Sequence, residues 1–262
     1  MNHYVPTDTA QRVLEGCEAL TYPNHAGNMQ AFPAIQEVET EHGILPTAPP
    51  TKLIGESIHH LGTEPKRILD IGCGTGRTAL YLAMNGHSVT AIDIDQSSCD
   101  WAKDRANALG IPDRDFTVRV SSVKDLPSTD RYDAVVGEML LHYLGKHEIR
   151  PTVAKMQGLT LPSGLNVVSA YTTDNPTEEI TARGLSYMFS PGELSSFYGS
   201  NWRVLRNAEG LLSTIVDRSI TTGQPLSLIP SAAEVVARKR TNVSQTHIMN
   251  ANRQIVPVIQ YS

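Results

Sequence analysis

Between Lys66 and Val136 the chain changes its hydrophobic period several times. Arg67 to Asp70 reads as a short buried strand. From Gly76 to Asn85 the residues Ala79, Leu80, Leu82 and Ala83 fall on one helical face, and Gly86 suits a left-handed helix end. His87 to Asp93 returns to a strand pattern, and Ser97 to Leu109 to a helix stopped by Gly110. Phe116 to Val120 and Tyr132 to Val136 supply a third and fourth strand. Lys146 to Leu159 is a helix that Pro151 should start or kink. The turn "LPSG" then leads into a fifth strand, Leu165 to Tyr171. Strands alternating with helices predict an α/β fold, a doubly wound, mostly parallel sheet with helices on both faces.

After the fifth strand the rhythm changes. "SPGELSSFY" carries an N-terminal capping pattern, with Ser190 at the start, Pro191 next and Glu193 three residues on. "WRVLRNAEGLLSTIVDRS" and "AAEVVARKR" are strand-like, and the loop from Thr221 to Ser231 between them is too short for a crossover helix, so they should pair antiparallel. The segments "YPNHAGNMQAFPA" and "GILPTAPPT" are rich in proline and polar residues. Residues 1–50 are therefore expected to form a lid, 51–240 the domain and 241–262 a tail.

The chemistry concentrates at the first strand-to-helix turn, "LDIGCGTGR". Glycine there permits positive φ and close approach of a ligand, and the N–H groups opening the helix favour negative charge. A dinucleotide fingerprint needs a small residue where Arg77 stands; the glycines fall instead at Gly72, Gly74 and Gly76. Asp70 offers a carboxylate toward an ammonium, and Arg77 a cation toward a carboxylate. The second strand ends in Asp93, placed to accept from both ribose hydroxyls, and Ile94 offers an apolar surface to a purine. A nucleoside joined to an amino acid describes S-adenosylmethionine (SAM), with S-adenosylhomocysteine (SAH) as its product.

"LDIGCGTG", "VTAIDID", "RYDAVVGEMLLHYL" and "LPSGLNVVSAY" resemble, in order, the successive motifs of class I SAM-dependent methyltransferases. "MFSPGELSSFYGSNWRVLRNAEG", followed by strands ending "VVARKR", is similar to the TehB-like, tellurite-resistance branch. The resemblance covers about residues 60 to 240. It implies a Rossmann-like seven-stranded sheet whose last strand is inserted antiparallel, with SAM across the strands' carboxyl ends. Many relatives carry an aspartate where Ser122 stands; here the Ser122 hydroxyl and the Val123 N–H are the candidate partners of the adenine, with Asp125 a possible substitute.

Cys73 reads as a small residue beside the cofactor rather than a nucleophile. On the acceptor side Glu138 is the candidate to hold or deprotonate a cationic amine, or to contact the cofactor. His142 is the candidate general base at the pocket mouth. Tyr171 and Thr172 end the fifth strand beside them, Arg183 would clamp an anion, and Tyr22 would fold over from the lid with Tyr4 and His25.

Composition narrows the partners. A net charge of −5 gives no field for collecting polyanions, no apolar run is long enough for a membrane helix, and the N-terminus lacks a secretory signal pattern. Three cysteines without metal-ligand spacing argue against a disulfide framework and a zinc site. The expectation is a cytoplasmic methyltransferase, monomer or homodimer, acting on an N, O, S or Se nucleophile of a small molecule without a metal. Methylation of a peptide or protein, a SAM-binding scaffold without turnover, and a nicotinamide oxidoreductase stand as the alternatives.

Overall fold

In the computed structural model, residues 51–173, 185–211 and 231–241 are described, together with the backbone of six short flanking strands within 20–47 and 243–261. Seven strands form one sheet: β1 (Arg67–Ile71), β2 (Ser88–Asp93), β3 (Phe116–Val120), β4 (Tyr132–Glu138), β5 (Thr160–Tyr171), β6 (Trp202–Leu211) and β7 (Ser231–Lys239). Their spatial order is β6-β7-β5-β4-β1-β2-β3. β1 to β5 pair parallel, whereas β7 lies antiparallel between β5 and β6. Both the seven strands and the inserted antiparallel one match the expectation.

Alternation along β1 shows how the two layers are divided. Ile68 joins one apolar cluster, with Leu80, Ala102 and Ala106 from α2 (Arg77–Met84) and α3 (Gln96–Ala108). Leu69 and Ile71 join the other, with Ile149, Val153 and Met156 from α4 (Lys146–Leu159) and Leu194 from α5 (Glu193–Ser196). A strand buried on both faces needs apolar residues at nearly every position, which is why this stretch shows no polar alternation. Asp70 is the exception in the run, and it lies at the site.

Several local details differ from the reading of the sequence. A first helix, α1 (Lys52–Ser57), precedes β1 and buries Leu53 and Ile54 in the first cluster, worth roughly 1.5 to 3 kcal/mol per side chain. It is too short for a periodic signal. Pro151 sits inside α4 and does not start it. β5 begins at Thr160, with Ser163 at φ 62° and a break of register against β4. The residues before Pro50 are not strandless: Leu20–Pro23 pairs with Met29–Phe32 and Gln36–Thr40 with Gly43–Thr47. In the tail Val243–Met249 pairs with Ile255–Tyr261. None of these hairpins joins the seven-stranded sheet. Glu193 keeps half of the expected capping pattern, its carboxylate accepting from Ser190 N–H at 3.0 Å, although α5 itself starts at Glu193.

The chain leaves β1 toward β2 on one side, while β4 lies on β1's other side. Strand order therefore reverses at β1, and open α/β sheets bind ligands outside the carboxyl ends at such a reversal. The glycine turn follows β1, and Glu138 ends β4, so the two flank this point.

Candidate active site

The turn after β1 is held open by its own backbone. Gly72, Gly74 and Gly76 have φ of 68°, 52° and 89°. The N–H groups of Gly72 and Cys73 both donate to the Ile92 carbonyl, at 2.8 and 3.0 Å, which fastens the turn to β2. A Cβ on Gly72 would stand 2.7 Å from Leu140 Cδ1, so the end of the Leu140 side chain would have to move aside to admit one. One on Gly74 would meet nothing within 4 Å, which leaves open space beside that backbone.

Asp93 closes the turn from β2. Its Oδ2 accepts from Gly74 N–H at 2.8 Å and its Oδ1 from Asp95 N–H at 3.0 Å. Each oxygen keeps a further lone pair, and two fixed oxygens suit a vicinal diol. Ile94 follows with 78% of its surface exposed, a large apolar side chain left on the rim. After β3, Ser122 caps a turn of 3-10 helix, its hydroxyl accepting from Lys124 N–H at 3.3 Å; Val123 is buried there and Asp125 is exposed.

Asp70 is only 2% exposed, and its Oδ2 has no hydrogen-bond partner. Burial, with the Glu138 carboxylate second, raises its pKa to about 8; the Arg77 guanidinium and the Ala79 N–H work the other way. Glu138 accepts from the Thr78 hydroxyl at 2.6 Å and lies 3.7 Å from Arg77 Nη2, with its side chain 5% exposed. Glu138 is therefore tied to the cofactor side of the site. Thr78 escaped the sequence reading, because nothing local marks a threonine whose partner lies sixty positions away. Met139, at φ 53°, was also missed; its N–H donates to the Ser169 carbonyl and hydroxyl at 3.0 and 3.1 Å, fixing the bend after β4. Cys73 is buried, and desolvation pushes its thiol far up, as suits a packing residue.

His142 is not at a pocket mouth. It is fully buried, with its ring centroid 4.5 Å from those of both Tyr143 and Tyr171. Nδ1 accepts from Tyr171 N–H at 3.3 Å, so the neutral ring carries its proton on Nε2. The His142 carbonyl accepts from Ser186 and Tyr187 N–H at 2.9 and 3.1 Å. Desolvation lowers its pKa to about 4. Tyr171 and Thr172 are both buried, and Thr172 bridges to Phe189. Glu138 and His142 thus belong to two groups along one edge. Arg183, Tyr4 and His25 lie outside the described residues, as does the side chain of Tyr22 on its strand. Among the described residues no group of three metal-binding side chains occurs, and no helix is long and apolar enough to cross a membrane.

The residues fit SAM on their own chemistry. A buried carboxylate oxygen without a partner faces the need of an ammonium, Arg77 that of a carboxylate, and Asp93 that of a ribose. The strand order, with its single inserted antiparallel strand, defines the class I methyltransferase fold. The family model for tellurite resistance protein TehB matches residues 53–215, and the chain belongs to that family. The probable S-adenosyl-L-methionine-dependent methyltransferase TehB of Haemophilus influenzae (strain 10810) is 27% identical over 152 residues, 56% of this chain and 50% of that protein. A ubiquinone biosynthesis O-methyltransferase of Rickettsia felis is 30% identical over 149 residues, 55% of this chain and 58% of that one. The crystal structure of TehB from Haemophilus influenzae superposes with a TM-score of 0.60 at 21% identity, covering 74% of this chain and 63% of the other. The chain thus spans about half the length of the curated relatives it matches.

Proposed function

We propose that this protein is a SAM-dependent methyltransferase acting on an N, O, S or Se nucleophile of a small molecule. The observation that carries the reading is the joint geometry of the turn: Gly74 opening onto free space, Asp93 fixed by two backbone N–H groups, and Asp70 with a buried carboxylate oxygen unmatched. Asp70 and Asp93 lie near Glu138, which pairs with Arg77, so acids outnumber bases here, a balance that favours a ligand with net positive charge. The similarity to a TehB and to a ubiquinone biosynthesis O-methyltransferase supports the same activity and a small acceptor.

When bound, SAM supplies a methyl group on a positively charged sulfur, open to in-line displacement by a lone pair. The work of the chain is then alignment and exclusion of water. Arg77 and Asp70 hold the amino-acid end, Asp93 the ribose, and Ile94, Ser122 and Val123 the adenine. Glu138, anchored by Thr78, attracts a cationic amine acceptor and takes its proton where one must leave. His142, buried and neutral, positions Tyr171 and the 185–187 segment rather than accepting a proton from the acceptor. Tyr171, Thr172, Arg183 and Tyr22 remain the candidates for acceptor contact, and residues 1–50 the lid.

Incubation with methyl-labelled SAM and a metabolite extract, then with a peptide pool, tests the proposal. Label in a small-molecule product is the expected result. Label confined to peptides would redirect the acceptor, and SAM binding without any transfer would make the chain a scaffold.

A further inference from the structure

Of the described aspartate, glutamate, lysine and arginine residues, Asp70 and Arg105 are the two that are buried whole. Asp70 leads into the glycine turn, and Arg105 reaches the turn from α3. The Arg105 Nη1 donates to the Thr75 carbonyl at 2.8 Å and to the Thr75 hydroxyl at 2.6 Å. Thr75 stands between Gly74 and Gly76, both at positive φ. Three residues earlier on the same face of α3, Ala102 meets the same stretch: a Cβ on Gly76 would lie 3.0 Å from that of Ala102. The other buried residues of α3 are Cys99, Ala102 and Ala106, small and uncharged. A guanidinium among them is held out of water, which draws its pKa below the ordinary arginine value, and a space that needed only filling would be served by an apolar side chain.

Resting on the SAM reading, we propose that Arg105 is a positioning residue of the cofactor site: by gripping Thr75 it holds the glycine turn in its ligand-ready shape before SAM arrives. The β2–α3 unit then fixes the turn from three sides. The Ile92 carbonyl takes the Gly72 and Cys73 N–H groups, Asp93 takes that of Gly74, and Arg105 donates to the Thr75 carbonyl and hydroxyl. The first two clamps hold donors of the turn, whereas Arg105 holds its acceptors. With the Thr75 carbonyl drawn toward α3, the N–H at the other end of that peptide, on Gly76, donates to the Cys73 carbonyl at 3.0 Å, and α2 starts at the next residue with Arg77 and Thr78. Without Arg105 the Thr75 peptide can rotate between two glycines, and rotation there disturbs the Gly74 N–H that orients Asp93 toward the ribose. Arg105 acts through Thr75, so its loss weakens SAM and SAH alike, since both use the same turn.

Calorimetric titration of the full chain with SAM and with SAH, beside denaturant unfolding of each variant, tests this role. Arg105→Met keeps an unbranched apolar stem and removes the donors; it should bind both ligands about tenfold more weakly than wild type, by the same factor for each. Arg105→Lys keeps a donor for the Thr75 carbonyl and should recover most of that loss. A residue that merely filled its pocket would give the reverse order, because methionine suits an apolar pocket better than an ammonium does, and Arg105→Met should be the more resistant of the two to denaturant. Thr75→Val, at a half-exposed position of the turn, removes the hydroxyl contact without altering α3. It should weaken SAM binding several-fold, and cost less on top of Arg105→Met than it costs alone. SAM affinity unchanged in Thr75→Val, or following the order of stability across the two Arg105 variants, overturns the inference and leaves the cofactor reading intact. A wild-type chain that binds no SAM overturns both.

Discussion

On the β1–β2 side of the site, the contacts are short in sequence and made largely by backbone. Gly74 N–H reaches Asp93 nineteen residues on, Asp95 N–H reaches back two, and the Ile92 carbonyl takes two N–H groups of the turn. On the β4–β5 side, side chains are fixed by distant partners. Glu138 is held by Thr78 sixty positions earlier, and His142 by Tyr171 and by the 185–187 segment. One region is a preformed cradle, while the other is a packed wall whose shape depends on the whole fold. Substitutions in the cradle should therefore cost affinity for SAM, and those in the wall should first cost stability.

His142→Ala gives the largest expected effect. Deleting a fully buried ring between two tyrosines should cost roughly 2 to 4 kcal/mol of stability, measured by denaturant unfolding. Its pH dependence has a definite sign. The folded pKa of about 4 lies below the ordinary histidine value, so the unfolded chain binds the extra proton. The stability is complete above about pH 6.5 and is lost as pH falls toward 4. A variant with wild-type stability and a missing alkaline rate limb would restore His142 to the role of base.

Gly72→Ala comes next, because it forces φ 68° on an L-residue and sets a methyl 2.7 Å from Leu140 Cδ1. About 1 to 3 kcal/mol of stability should be lost, and SAM affinity with it. Asp93→Ala should reverse the balance, with about 1 to 3 kcal/mol of SAM affinity lost, and a smaller change in unfolding midpoint. Thr78→Val tests whether Glu138 really joins the two regions. Losing a 2.6 Å hydroxyl donor should cost about 1 kcal/mol of stability and change acceptor KM more than SAM affinity. The smallest effect belongs to Ile94→Ala: no measurable change in stability from so exposed a side chain, and a few-fold weaker SAM binding seen by calorimetry.

The same contrast explains what could be read from the sequence. The cradle is local: glycine spacing, an acid at the end of each of two strands, and a change of hydrophobic period between them, all within thirty residues of chain. The antiparallel pairing of the last two strands was legible too, although β6 ends at Leu211 and β7 starts at Ser231, a wider separation than the Thr221–Ser231 loop read from the sequence. The wall is not local. The hydroxyl of Thr78 gives no sign of Glu138, and His142 in "GEMLLHYL" looks the same whether it faces solvent or the core. Placing it at the mouth assumed that a polar residue after a strand points outward, whereas the packing of Tyr143 and Tyr171 closes over it. The early helix at Lys52–Ser57 and the hairpins before residue 50 were hidden by brevity and by proline-rich composition.

The turn after β1 and the acid ending β2 form a SAM site rather than a dinucleotide site. Calorimetric titration of the purified protein with SAM and with NAD decides between the two. SAM should bind with a Kd on the order of micromolar and NAD should give no saturable heat. Tighter binding of NAD than of SAM would contradict the assignment.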